Sequence, residues 1–152
     1  MFLLQSDELI EHTSDIIHKE TQQHKLNLDL TASEIFRLTG PGALDFGGSE
    51  FEPAQFERIE PAKKNPDDEY GWWNLNTGTY KVRFNEHLKN LDDTLIAIAA
   101  HPHARKAGII ADTCLLNPED NLETIEMNFR VPHTGTSIKE NARFATLYIL
   151  AG

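Results

Sequence analysis

The sequence predicts an all-β domain, a sandwich or barrel, with a short helix before its first long strand. Three observations carry this. "KLNLDLTA" alternates apolar and polar residues with the period of a strand. "TLIAIAAH" is a continuous apolar run of strand length, suited to a strand covered on both faces. Glycine, proline and asparagine clusters punctuate the remaining strand-like runs, the spacing expected of a β-rich domain.

Taken in order, Ser6 is a candidate N-cap, with Asp7 and Glu8 well placed against the helix dipole, for a helix from Asp7 to about Thr13 that could extend through Ile16 and Ile17. In the alternating strand, Leu26, Leu28 and Leu30 are expected to face the core and Asn27, Asp29 and Thr31 the solvent. From Gly40 to Asp68, four glycines, four prolines and many charges predict short strands at Ala43–Phe46 and Phe51–Ile59 joined by turns, the best candidate for a mobile surface loop. "GWWNLNTGTYKVRF" reads as a hairpin turning at Asn76-Thr77-Gly78, with Tyr80, Val82 and Phe84 on one face. Further strands are expected at Ile109–Leu116, at Thr124–Phe129 with Ile125, Met127 and Phe129 inward, and at Ala142–Leu150.

At 152 residues the chain has the length of one domain, 1–152. No apolar run reaches the ~18 residues of a membrane span, and "MFLLQSDELIEH" lacks the basic flank of a secretory signal. The single cysteine, Cys114, forms no internal disulfide, and a cytoplasmic location is expected. It lies in an apolar run without an activating neighbour and reads as an inert buried thiol. A formal charge of −10 argues against a nucleic-acid polymer as partner. A small nucleotide remains compatible, because Mg²⁺ or a few local Arg and Lys residues offset its charge.

The order of motifs resembles the dUTPase/dCTP deaminase superfamily, and more closely its deaminase branch. "LQSDELIEH" and "LNLDLTASEIFRL" are similar to that branch's N-terminal helix and L-D-L strand. "LNTGTYKV" is similar to L-x-P-G-x-Y-x-V with Thr77 for proline, and "NARFATL", carrying Arg143, to the terminal G-x-R-I-A-x-L strand. The resemblance implies a dUTPase-like distorted jelly-roll β-barrel and a homotrimer with sites where subunits meet. It implies a deoxynucleoside triphosphate, dCTP or dUTP, as ligand, with Mg²⁺ held through its phosphates. Asp29 falls on the dUTPase aspartate that helps hold that metal through water; the plain alternative is the polar face of a strand.

The departures concern the catalytic letters. The family's phosphate loop, R-S-S-L-x-R-L-G or R-S-G-L-A-x-K-x-G, aligns with "HPHARKAG". Its serines fall on Pro102 and His103 and its leading arginine on His101 or Ala100, while Arg105 and Lys106 retain positive charge. The family's water-activating aspartate falls on Asn117, whose amide is no general base, and its sugar-stacking tyrosine on Asp120. The deaminase branch's proton-shuttling glutamate falls at Glu126, within a residue. The sequence given stops at Gly152, directly after the terminal strand, where the family has a glycine-rich or basic tail.

Three functions follow: dCTP deamination or dUTP hydrolysis; a catalytically inactive trimeric relative binding a nucleotide or protein; or a similar barrel with a metal at His101 and His103. In an extended strand those two imidazoles would share a side, with His87, His133 or nearby acids as further ligands. His12, His18 and His24 read as solvated surface. Of Trp72 and Trp73, one is expected in the core and the other at a subunit contact or stacked on a base.

Overall fold

In the computed structural model, which describes residues 1–120 and 124–152, a two-residue strand β1 (Phe2–Leu3) leads to helix α1 (Asp7–Glu11). The helix is shorter than its sequence suggests. Ser6 sits at φ 46° and makes no side-chain cap bond. Thr13 turns away to begin β2 (Thr13–Ser14), its hydroxyl donating back to the Leu9 carbonyl. A second helical turn, α2 (Lys19–Gln22), was not evident in the sequence; His18 caps it, Nδ1 accepting from the Thr21 N–H.

Strand β3 (Leu28–Gly40) is the axis of the sheet and corrects the alternation argument. Leu26 is 41% exposed and lies outside the strand, whereas Asp29 and Thr31 are buried together with Leu28, Leu30 and Ala32. The expected solvent face is covered because α2 and Glu86 pack over it. Glu86, fully buried, accepts from the Thr31 N–H (2.8 Å), the Thr31 hydroxyl (2.6 Å) and Gln22 Nε2 (2.9 Å). Gln22 Nε2 also donates to the Asp29 carbonyl, and its Oε1 accepts from the Ile17 and His18 N–H groups. This amide thus ties a two-turn polar segment to β3.

After β3 come β4 (Gln55–Ile59), β5 (Trp72–Leu75), β6 (Gly78–Phe84), β7 (His87–Leu88), β8 (Thr94–Ala100), helix α3 (Pro102–Lys106), β9 (Cys114–Leu116), β10 (Glu126–Val131), β11 (Thr136–Lys139) and β12 (Arg143–Ala151). The main sheet runs β10-β6-β3-β12-β8-β9, with β4 also on β3 and β1 on β12. The first half of β3 pairs with β12 and the second half with β6 and β4, so the strand passes from one part of the wall to another as in a nearly closed barrel. Tyr80, Val82 and Phe84 face the core with Met127 and Phe129, as their alternation predicts. Phe129 packs between Tyr80 (5.6 Å) and Phe144 (4.9 Å).

Other expectations fail for identifiable reasons. β5 pairs with β11 rather than folding back on β6, because Trp73 is buried opposite Ile138 and donates Nε1–H to the Ile59 carbonyl. Residues 43–46 make no strand, only the Ala43–Glu52 bridge. Of the stretch Ile109–Leu116 only Cys114–Leu116 is strand, since the chain leaves α3 through Gly108 at φ +92°. β8 buries Ile96, Ile98 and Ala100, but Leu95, Ala97 and Ala99 are half-buried, so this chain covers one of its faces and not both. Among the described residues no helix is long and apolar enough to cross a membrane.

Glu86 has no cationic partner among the described residues, and desolvation raises its pKa above 4.5 against the pull of its donors. A carboxyl held up in this way binds its proton more tightly when folded. Its contribution is therefore largest in acid and declines as pH rises past the unfolded value. Removing it in Glu86→Ala leaves the Thr31 N–H, the Thr31 hydroxyl and one of the two Gln22 Nε2 hydrogens without an acceptor, and urea titration should show a loss of about 3 kcal/mol. Glu86→Gln should gain on the wild type as pH rises from about 4 to about 7; a pH-independent difference would contradict this account.

Candidate functional site

A carboxylate with 1% exposure is costly unless cations meet it, and around Asp29 they converge. Its Oδ2 accepts from Arg143 Nη1 at 3.1 Å and from His24 Nε2 at 3.0 Å, and His101 Nε2 stands 3.6 Å away. Three local structures deliver these groups. A tight reversal, closed by the Gln23–Leu28 bridge and the His24 N–H to Asn27 carbonyl bond, folds His24 back over the start of β3. Arg143 opens β12 opposite Thr31. His101 ends β8 and caps α3, its Nδ1 accepting from the His103 N–H at 3.0 Å.

That cap bond fixes the His101 tautomer. Nδ1 is an acceptor, so in the neutral ring Nε2 carries the hydrogen and aims it toward Asp29. Burial lowers the His101 pKa below 6.5, outweighing the attraction of Asp29, with His103, Arg143 and His24 adding to the depression. Its geometry corrects the extended His-x-His expectation. Pro102, with preset φ and no N–H to satisfy, sits in the first turn of α3 and starts a helix there. The His101 and His103 rings meet edge-on at 4.7 Å rather than side by side along a strand.

The Asp29 cluster forms one wall of a cleft of about 410 Å³ whose lining includes Asn27, Arg105 and Tyr148. The floor crosses three strands in register, Asp29 on β3, Thr146 on β12 and Ala99 on β8. Arg105 is exposed, with Nη1 bound to the Ala100 carbonyl at 2.8 Å; Lys106 follows it, also exposed. With Asp29 already neutralised by Arg143, His24 and Arg105 leave the cleft suited to an anion.

Glu126 and Asn117 lie elsewhere. Both Nε (2.9 Å) and Nη2 (2.8 Å) of Arg83 engage Glu126 Oε2, with Lys81 Nζ at 3.6 Å. Arg83 in turn reaches Glu34, which binds Arg58. Asn117 is exposed in a turn, its N–H donating to Asp120 Oδ2, beside a different cleft that contains Thr94. β9 sets Leu116 opposite Ile96, so Asn117 is level with Leu95, roughly 13 Å of strand from Ala99 in the floor of the Asp29 cleft.

No group of His, Cys, Asp and Glu among the described residues has the arrangement of a metal site. Asp29 does not fit a direct Mg²⁺ ligand, since the oxygen it presents to its partners is held by a guanidinium and an imidazole. His87 pairs with Asp15 and His133 is exposed in a turn. Cys114 is half-buried, its thiol pKa raised by desolvation. Trp73 is the core tryptophan, whereas Trp72 lies beneath the Lys64 ammonium at 4.1 Å. Sequence reasoning missed His24: its distance of five positions from Asp29 carries no signal unless the intervening reversal is known.

No family model matches the chain. The probable deoxyuridine 5'-triphosphate nucleotidohydrolase of Methanosarcina acetivorans is 31% identical over 140 residues, covering 91% of this chain and 76% of that protein. The protein of the same description from Methanosarcina mazei is similar, at 31% identity over 91% of this chain and 76% of its own length. A crystal structure of 2'-deoxycytidine 5'-triphosphate deaminase from Agrobacterium tumefaciens matches 99% of this chain with a TM-score of 0.65 and 13% identity. The chain spans 47% of that structure's length, and the likeness is one of fold, a jelly roll.

A histidine whose folded pKa is lowered takes up its proton more readily when unfolded. Its stabilising contribution is present above the unfolded pKa and is lost as pH falls through the window below 6.5. His101→Gln keeps a side-chain acceptor for the cap without the titration. Thermal melts from pH about 7.5 down to about 5 should therefore show the wild type losing more stability than the variant. Asp29→Ala should cost about 3 kcal/mol at neutral pH, because Arg143 loses its counter-charge and the His24 imidazole its bonding partner.

Proposed function

This chain belongs to the dUTPase/dCTP deaminase superfamily, and we propose that it binds a pyrimidine deoxynucleoside triphosphate in the Asp29 cleft and acts on it by hydrolytic chemistry, deaminating dCTP or hydrolysing dUTP. The observation that carries this reading is electrostatic. On a chain of net charge −10, the cleft combines a buried, already neutralised carboxylate with His24, His101 and Arg105 on its walls. The Arg105 guanidinium at the cleft suits a phosphate group, and Lys106 is its exposed neighbour in sequence. Mg²⁺ enters this reading with the triphosphate rather than on Asp29.

Because Asn117 and Glu126 lie far from the cleft within one chain, the reading includes a homotrimer whose neighbouring copies complete each site. The proposed setting is the cytoplasm, and the unit proposed is one domain, 1–152. A second reading, a catalytically inactive nucleotide binder, is favoured by the engagement of Glu126 with Arg83 and Lys81 and by the amide at Asn117. A carboxylate engaged by two cations has fewer free lone pairs to offer a substrate.

The test is incubation with dCTP or dUTP and Mg²⁺, products separated by chromatography, alongside titration calorimetry. Release of dUMP from dUTP, or conversion of dCTP to dUTP, supports the enzymatic reading. Binding without turnover supports the second, and then Asn117→Asp should introduce dUTP hydrolysis if its carboxylate reaches a neighbour's bound nucleotide. Arg105→Ala should weaken binding about 10-fold. Absence of both binding and turnover would overturn the nucleotide assignment.

A further inference from the structure

The segment between β3 and β4 is an ordered arm with an apolar tip. Ala43 and Glu52 close its base through a pair of backbone hydrogen bonds of 2.8 and 2.9 Å. Gly42 is required there, since a Cβ would come within 2.7 Å of the Glu52 carbonyl oxygen. The Asp45 carboxylate locks the tip, accepting from the Gly48 N–H at 3.0 Å and the Glu50 N–H at 2.9 Å. Leu44 is 93% exposed, Phe46 is fully exposed and Phe51 is half-exposed. An isolated exposed leucine needs no explanation, but two aromatics and a leucine on a pinned arm are surface with work to do. Its ordering cost is largely met before any contact forms.

An apolar cleft of about 200 Å³ lies between α3 and β11, its walls including Ala104, Ile109, Ile138 and Phe144. A cavity of ~150 Å³ already holds a benzene ring, so this one accommodates a phenylalanine side chain. Its rim carries His103, Lys139 and Arg143, and no acidic side chain is among its described lining residues. The arm has the opposite sign: Asp45, Glu50 and Glu52 are its charged residues, with no Lys or Arg from 43 to 52. The complete exposure of Phe46 shows that the arm does not reach the cleft of its own chain.

We propose that the acidic, aromatic-tipped arm of residues 43–52 inserts into the apolar, basic-rimmed cleft between α3 and β11 of a second copy of this chain. The contact is heterologous, arm to cleft, so it closes into a ring when the rotation between copies allows. Phe46 is the anchor and the charges set the register. Arg143 gives one guanidinium nitrogen to Asp29 and borders this cleft, so the arm of one copy would stand against the wall of its neighbour's nucleotide site.

The test places a photoreactive benzoyl-phenylalanine at position 46 and maps crosslinks in a mixture of isotopically heavy and light protein. Heavy-to-light crosslinks to peptides containing Ala104 or Ile138 are expected. Sedimentation equilibrium should show Phe46→Asp weakening self-association by at least about 10-fold, without change in circular dichroism because the side chain has no contacts in its own chain. Lys139→Glu should weaken association too, and Glu50→Lys in the same chain should restore part of it. A monomer at every concentration, an oligomer indifferent to Phe46→Asp, or crosslinks confined to other surfaces would each overturn the proposal.

Discussion

A charged carboxylate in the middle of a buried strand sets the terms for the rest of this structure. Asp29 lies between Leu28 and Leu30 on β3, with hydrophobic core around both. Removing it from water without a counter-charge would cost more than a typical domain's entire margin of stability. Arg143 must therefore begin β12 where it does, and the reversal at residues 24–27 must bring His24 back. The end of β8 must likewise hold His101 within reach. Those requirements fix where β3, β8 and β12 stand relative to one another, and the cleft is the space left beside the compensated charge.

Glu86, the other buried acid, is handled in the opposite way. Asp29 meets the Arg143 guanidinium and two imidazoles, whereas Glu86 has donors and, among the described residues, no cation. Burial accordingly pushes Glu86 toward its neutral form, whereas the Asp29 carboxylate faces Arg143, His24 and His101. Gln22 touches both systems, donating to the Asp29 carbonyl and to Glu86 Oε2. A polar N-terminal segment with few apolar residues of its own is thereby fastened to the sheet, and with it the turn that carries His24.

The sequence was most legible where a strand has one wet face. Tyr80, Val82 and Phe84 on β6, and Met127 and Phe129 on β10, sit as their alternation demands. It misled on β3, because Asp29 and Thr31 look solvated until α2 and Glu86 cover them, and a covering helix of four residues leaves no periodic signal. It also misled at β5, where adjacency in sequence suggested a hairpin and burial of Trp73 against Ile138 decided for β11. At residues 101–103 the His-x-His spacing suggested an extended strand. Pro102 and the His101 cap produce a helical turn instead, information that was present in the letters. The ordered set of motifs identified the family correctly even so, because order along the chain survives when individual letters drift.

The distribution of the candidate residues bears on what one copy can do alone. Glu126 belongs to a ladder running from Arg83 to Glu34 and Arg58 across neighbouring strands, and Lys81 packs over Phe36 and Phe56 beneath it. Side chains so engaged stabilise a sheet face, and freeing the carboxylate for proton transfer would leave Lys81 without its counter-charge and Arg83 with Glu34 alone. The Asp29 cleft, by contrast, keeps Arg105 at an open edge with only its carbonyl bond. Within one chain the Asp29 cleft thus lies at one end of β8 and Asn117 toward the other. In the proposed homotrimer, symmetry would return the far end of one copy's β8 to the near end of the next.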